Sequence, residues 1–166
     1  MPAIAMKTLA DLLLLGDPRL YEKCAPVVES DLPLVAGWVA DLDNVMREVR
    51  ARYQFGRGIA APQLGIMKRL VYLNIDRPMV LLNPELTETS DDLFELWDDC
   101  MSFPNLLVRV RRHISLTVRY RDEHWQPQTW RIQDGLSELL QHECDHLDGV
   151  LCTMRAIDAQ SFKWKP

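Results

Sequence analysis

Apolar residues recur at Leu32, Val35, Val39, Leu42, Met46 and Val49, at spacings of 3, 4, 3, 4 and 3. Such spacing lays them along one face of a helix. The sequence therefore predicts one long amphipathic helix, from a Ser30-Asp31 cap with Pro33 in the first turn to about Arg52, with Trp38 and Val45 beside the stripe. A period of two runs from Val108 to Tyr120. Val108, Val110, Ile114, Leu116, Val118 and Tyr120 fall on one side, and Arg109, Arg111, Ser115, Thr117 and Arg119 on the other. This reads as one half-buried antiparallel strand, turned back by Asp122 to Pro127 onto a hairpin partner at Thr129 to Ile132.

Leu12 to Leu15 is a short apolar run that Gly16-Asp17-Pro18 ends, so a strand or extended arm is expected there. Arg69 to Ile75 and Met79 to Leu82 are short β-rich runs, and Asn83-Pro84 is expected to break the second before Glu85 to Thr89. Near the C-terminus, Leu136, Leu139, Leu140 and Leu147 form the stripe of a final helix, with Asp134 as its cap and Gly149 as its stop. The 17 residues after Gly149 are too few to expect another packed helix. The pattern is α+β: antiparallel sheets packed around a C-terminal helix, plus one long N-terminal amphipathic helix, in a single domain over residues 1–166.

Composition narrows the functions. With 166 residues and 48% apolar content, the chain can bury one proper core and has little room for a second. A net charge of −5 argues against direct nucleic-acid binding, and the basic spots Arg109 to Arg112 and Lys163 to Lys165 are short. Met1 to Leu15 is too short and too polar for a signal peptide or a membrane span, so no membrane is expected. Cys24, Cys100, Cys144 and Cys152 follow no disulfide framework and no Cys-x-x-Cys zinc pattern. A reducing, cytoplasmic setting is the expectation.

The chemistry concentrates in Gln141-His142-Glu143-Cys144-Asp145-His146-Leu147. Residues four apart on a helix share a face, so His142 and His146 can aim two imidazoles at one ion, which makes this a metal-binding helix. Glu143, about 100° round the helix, can reach a water at an open position. Cys144 points away from the pair and is assigned to packing. A catalytic site of this kind usually has a third protein ligand. No Glu or His follows Leu147, so that ligand lies upstream or is Asp148, Cys152 or Asp158, with a thiolate the most suitable. The glycine-rich stretch from Gly56 to Gly65 lets backbone approach a ligand closely, and Gln63 is its one long polar side chain.

Three segments then combine. Gly56-x-Gly58-Ile59-Ala60-Ala61-x-Gln63, Cys100-Met101-Ser102 and Gln141-His142-Glu143-x-Asp145-His146-Leu147, in this order, resemble the three signature motifs of the peptide deformylases. The resemblance runs from Gly16 to about Leu151. It implies a metal-dependent hydrolase that removes the formyl group from the N-terminal methionine of newly made proteins, releasing formate. It also implies Cys100 as the third ligand, beside His142 and His146. Glu143 would take a proton from water and pass it to the leaving amine. The Gln63 amide and the Met101 N–H would hold the formyl oxygen. One divalent ion is implied, Fe²⁺ in the cell by analogy, with Zn²⁺ or Ni²⁺ as replacements. The implied partner is an N-formylmethionyl peptide or nascent chain, with at most a transient contact with the ribosome.

Gly58, Ile59, Asp99, Glu138 and Leu139 are the substrate-binding residues this resemblance suggests, and two of them depart from its pattern. Asp98-Asp99 stands in place of Glu-Gly before the cysteine. Arg112 falls where the family often has an Arg to pair with the first of these carboxylates. Asp99 either faces the cleft, adding negative charge there, or faces solvent. Glu138, one turn before His142, replaces an apolar residue of the methionine pocket, leaving Leu139 to line it. Together the two carboxylates are expected to favour peptides carrying Lys or Arg after the methionine. The long C-terminal helix of many bacterial members has no counterpart.

Overall fold

A computed structural model describes residues 5–166. Residues 1–4, the start of the N-terminal segment judged above, lie outside the described residues. The long helix α1 spans Leu32–Tyr53, close to its predicted extent, with Val35, Leu42, Val45, Met46 and Val49 buried. Its cap differs from expectation. The Asp31 carboxylate accepts from the Val28 N–H at 2.9 Å and from Lys68 Nζ at 2.6 Å, so it closes the preceding turn rather than the helix.

Strands β1 (Gly58–Ala60), β2 (Leu70–Asn74), β3 (Pro78–Thr87), β6 (Ser115–Arg121) and β7 (Pro127–Gln133) form a five-stranded antiparallel sheet in the order β1-β2-β3-β6-β7. Strands β4 (Leu93–Asp98), β5 (Leu106–His113) and β8 (Phe162–Trp164) form a second, three-stranded sheet in the order β4-β5-β8, also antiparallel. Helix α2 spans Asp134–Leu147 and packs against β1, β5 and β7.

The unbroken apolar run at Leu70 to Leu73 now has its reason. Alternate residues of a strand point to opposite faces, so a strand covered on both sides must be apolar throughout. Leu70 and Tyr72 pack with Ile59, Val80 and Leu82 against the α1 stripe. Val71 and Leu73 pack with Leu81, Leu116 and Val118 against Leu139, Leu140 and Leu147 of α2. Each fully buried leucine stabilises the fold by about 1.5–3 kcal/mol. The sheet is thus sandwiched between the long helix and the helix that carries the histidines.

Three further sequence expectations need correction. Val108 to Tyr120 is two strands in two sheets, parted at Ile114, because the backbone there bends onto α2. Gln141 Oε1 accepts from the His113 N–H at 2.9 Å, Gln141 Nε2 and Ser137 Oγ donate to the His113 carbonyl at 2.9 and 2.8 Å, and the Asp134 N–H donates to the Ile114 carbonyl at 2.7 Å. Helix side chains thus replace the ladder bonds lost at the bend. Secondly, Asn83-Pro84 does not end a strand. It makes a bulge within β3, where Asn83 takes φ 51° and its amide pairs with both backbone groups of Val27 at 2.8 Å. Thirdly, Asp134 makes no capping bond to α2.

Gly149 stops α2 as expected. It adopts φ 72°, and a Cβ there would lie 2.4 Å from the Tyr21 carbonyl oxygen, so only glycine fits. The residues beyond it make a single 3-10 turn, Cys152–Arg155, and then β8. Leu12 to Leu15 is an extended arm without strand pairing. Its Leu13 N–H donates to the Gln63 carbonyl at 2.8 Å and its Leu15 N–H to the Ser102 carbonyl at 3.0 Å. The arm therefore ties two separate pieces of the candidate site together.

Candidate metal centre

Helix α2 is pressed into the core between the two sheets, and its buried face carries His142, Glu143 and His146, all 5% exposed or less. Cys100 sits in the tight turn that follows β4, closed by the Phe103 N–H donating to the Cys100 carbonyl at 3.1 Å, and is 2% exposed. One donor atom from each of Cys100, His142 and His146 lies within 4.8 Å of the other two. His146 Nε2 is 3.2 Å from His142 Nε2 and 3.4 Å from Cys100 Sγ. A tetrahedral ion with ordinary bond lengths sets nitrogen and sulfur ligands about 3.3–3.6 Å apart, so a Cys-His-His set at these separations fits a single ion.

Behind the ligating edge lies a chain of charges. Asp98 Oδ2 is 2.9 Å from His142 Nδ1, which leaves Nε2 facing Cys100 and His146. Arg112 donates to Asp98 at 3.0 Å and to Asp145 at 2.6 Å, and Arg155 grips both oxygens of Asp145 at 2.5 and 2.7 Å. Arg112 falls on the apolar parity of the alternating segment, and it is buried at 3% exposure. A buried guanidinium is tolerable only when paired, and here two carboxylates pair it. Burial works to raise the Asp98 carboxyl, but His142 and Arg112 outweigh it and hold the group below the usual carboxylate range. Burial likewise opposes the charged form of His142, yet Asp98 holds that imidazole well above its ordinary value. His146 is driven well below, by burial and by its neighbour His142.

Glu143 has no such partner. Its Oε2 is buried without a hydrogen bond among the described residues, and burial pushes the carboxyl up to about 7. A carboxyl near neutrality is able both to take and to return a proton. Gln63 lies in the 3-10 turn Ala61–Leu64 that follows β1. Its Oε1 accepts from the Ala60 N–H at 3.0 Å, and its Nε2 donates to Ser102 Oγ at 3.1 Å and lies 3.7 Å from Cys100 Sγ. Both carbonyls held by the N-terminal arm belong to this pair of residues. Among the described residues, no group accepts the Met101 N–H.

These groups open onto a cavity of about 280 Å³ whose wall includes Gly58, Gln63, Asp99, Cys100, Met101, Glu138, Leu139, His142 and Glu143. Gly58 gives room beside the acid, since a Cβ there would come within 3.5 Å of Glu143 Cγ and 2.6 Å of Leu73 Cδ2. Ile59 turns its side chain the other way, into the core against α1. Only its backbone, on the edge strand β1, is near the cleft.

Both unusual carboxylates face the cavity, and each has found a cation. Arg57 pairs with Glu138, and Lys165 Nζ lies 3.2 Å from Asp99 Oδ2 with its ammonium 3.8 Å over the Phe55 ring. Neither partnership is foreshadowed by spacing. Cys152, one of the downstream residues the sequence offered as a ligand, groups its thiol with Asp98 and His142 rather than with the Cys100, His142 and His146 set. Asp145 was visible as part of the helix motif, but its hold on Arg112 and Arg155 was not.

A helix-borne His-Glu-x-x-His, a cysteine thiol from a separate turn and an unpartnered buried carboxyl at a cleft define a metallohydrolase of the one-ion type. Sequence comparison gives the family: a model described as polypeptide deformylase matches residues 9–162, and the chain belongs to that family of metal-dependent hydrolases that remove N-formyl groups. Peptide deformylase 2 of Ralstonia nicotianae is 32% identical over 163 residues, which are 91% of this chain and 89% of that protein. Peptide deformylase of a Synechocystis strain is 37% identical over a shorter match of 102 residues, 58% of this chain and 54% of its own length. The crystal structure of a peptide deformylase from Synechococcus elongatus in complex with actinonin superposes with a TM-score of 0.83 at 33% identity, covering 95% of this chain and 86% of that one.

Proposed function

We propose that this protein hydrolyses the N-terminal formyl amide of formylmethionyl peptides, releasing formate and a free amine. The observation that carries the reading is the meeting of Cys100, His142 and His146 donor atoms beside a buried Glu143 oxygen that has no partner among the described residues. These three residues would hold one divalent ion, Fe²⁺ in the cell by family analogy, with Zn²⁺ or Ni²⁺ as substitutes. When bound, such an ion supplies Lewis acidity and makes water acidic enough to react near neutral pH.

The chain's own groups do the rest. Glu143 accepts a proton at Oε2 from the attacking water and returns it to the amine nitrogen as the amide bond breaks. Gln63 Nε2 and the Met101 N–H donate to the formyl oxygen while it gains charge, and losing either donor costs about 3–4 kcal/mol of transition-state stabilisation. Asp98 and Arg112 hold His142 in one orientation. Gly58 and Ile59 offer the free edge of β1 to the peptide backbone, as an extended ligand pairs with any exposed strand. Leu139 supplies the apolar wall for the first side chain, with Glu138 beside it and Asp99 at the rim.

The partner in this reading is a formylmethionyl peptide or nascent chain in the cytoplasm, which brings the enzyme only transiently to the ribosome. With a net charge of −5, direct binding to nucleic acid has no support. No helix among the described residues is long and apolar enough to cross a membrane. The test is formate release from formyl-Met-Ala-Ser by protein loaded with Fe²⁺ under exclusion of oxygen, with acetyl-Met-Ala-Ser as the control. Metal-loaded protein that leaves the formyl peptide intact would overturn the proposal, and equal cleavage of the acetyl peptide would make it a broader amidase.

A further inference from the structure

Glu138 stands one helical turn before His142 on α2, lines the cavity beside Leu139, and is 8% exposed. It is anchored from outside. Arg57, between the two glycines of the Gly56-Arg57-Gly58 segment, donates to Glu138 Oε1, and through Nη1 to the Gly135 carbonyl at 3.1 Å. The Arg57 side chain is 45% exposed at the cavity mouth, whereas that of Glu138 is 10% exposed within. The second oxygen, Glu138 Oε2, accepts no hydrogen bond among the described residues.

A carboxylate fixed by one cation, with its other oxygen bare on a cavity wall, is an acceptor awaiting a donor. An apolar side chain seated over it strips its water and gives nothing back, whereas a side chain with an N–H replaces that water. The charges decide which donor suits it. An ammonium entering the pocket would meet the Arg57 guanidinium, and a carboxylate would meet Glu138 itself. A neutral amide meets neither objection, and glutamine is close to methionine in length and, like it, unbranched at Cβ and Cγ.

We infer that Glu138 makes this pocket accept N-formyl peptides whose first residue is glutamine alongside those that begin with methionine, so that it sets the specificity for the first side chain. The inference rests on the deformylase reading given above. Because a pocket that presents a buried polar group discriminates between ligands that do and do not answer it, removing the group should reverse the preference.

The experiment measures kcat/KM for formyl-Gln-Ala-Ser and formyl-Met-Ala-Ser with the metal-loaded parent, Glu138→Ile and Glu138→Gln. The glutamine-to-methionine ratio is expected to fall about tenfold or more in Glu138→Ile, and to stay within about threefold of the parent in Glu138→Gln, whose oxygen stays with Arg57 while its NH2 donates to the side-chain carbonyl of the substrate glutamine. A ratio that Glu138→Ile leaves unchanged overturns the inference. Calorimetric binding of the deformylated peptides Gln-Ala-Ser and norleucine-Ala-Ser to the parent is a second arm that needs neither variant nor turnover. Binding of the glutamine peptide at least as tight as that of the apolar isostere supports the inference, and binding about tenfold weaker sinks it. Should the parent release formate from neither formyl peptide, the deformylase reading fails, while the calorimetric ranking still judges the pocket.

Discussion

Asp98 Oδ2 lies 2.9 Å from His142 Nδ1, and this one contact decides which nitrogen of the imidazole is turned toward Cys100 and His146. Partners of this sort orient a metal-binding histidine, and losing them typically weakens metal affinity about 10–100-fold. Asp98→Asn keeps the shape but removes the charge that both His142 and Arg112 rely on. Competition with a chelator should show the metal held about 10–100-fold less tightly. Equal affinity would mean that the ring is oriented by packing alone.

Glu143→Gln separates binding from chemistry. The amide is isosteric, and the three candidate ligand residues are untouched. Metal content should therefore match the parent while formate release falls by a factor of about 10²–10⁴. Retained turnover would place the proton transfer elsewhere, for Glu143 is the buried carboxyl without a partner among the described residues.

Cys100→Ser tests the ligand set. A hydroxyl is a much poorer ligand than a thiolate for a borderline ion, so the variant should lose most of its metal or change the ion it retains. Parent-like metal content would instead assign the third position to Cys152, whose thiol groups with Asp98 and His142.

Both helices were legible in the sequence because their apolar stripes repeat over three turns or more, and Leu139, Leu140 and Leu147 of the second one do pack on the sheet. The meeting of His142 with His146 was legible because helical geometry alone puts residues four apart together. The break at Ile114 was not. The even-numbered positions stay buried across it, with Val108, Val110 and Arg112 before the bend and Leu116 and Val118 after it, although Thr117 on the other face is buried too, while the hydrogen-bonding partners change from one sheet to the other. Parity along a strand says which side is buried and nothing about which neighbour it joins. The pairs Arg57 with Glu138 and Lys165 with Asp99 span 81 and 66 residues, so no local pattern could announce them.

The bend itself makes a stability prediction. Gln141 satisfies both backbone groups of His113 and also donates to the Ser137 carbonyl at 3.0 Å. Gln141→Leu would leave the His113 N–H unpaired where β5 leaves its sheet, at a cost of about 2–3 kcal/mol. Thermal unfolding followed by circular dichroism should show a midpoint roughly 5–10 °C lower. A shift under about 1 °C would mean that water serves the junction as well as Gln141 does.

Asp99 carries the final prediction, because its surroundings reverse what its charge alone suggests. A bare carboxylate at the rim would favour a cation after the methionine, but the Lys165 ammonium lies 3.2 Å away and is itself held 3.8 Å over Phe55. Glu138, the other acid on that wall, is matched by Arg57. With both charges answered locally, the parent should turn over formyl-Met-Lys and formyl-Met-Glu peptides at nearly equal kcat/KM. Lys165→Met removes the answering charge and keeps the packing on Phe55, so the ratio should move toward the lysine peptide by about fivefold at low salt, near 1 kcal/mol for a partly solvated site. Raising the ionic strength above about 0.15 M should erase most of that gain, because rim charges a Debye length of about 8 Å apart are screened. A parent that already prefers the lysine peptide fivefold would mean that Lys165 leaves the field of Asp99 in the cleft, and an unchanged ratio in Lys165→Met would mean that Asp99 never acts on the substrate.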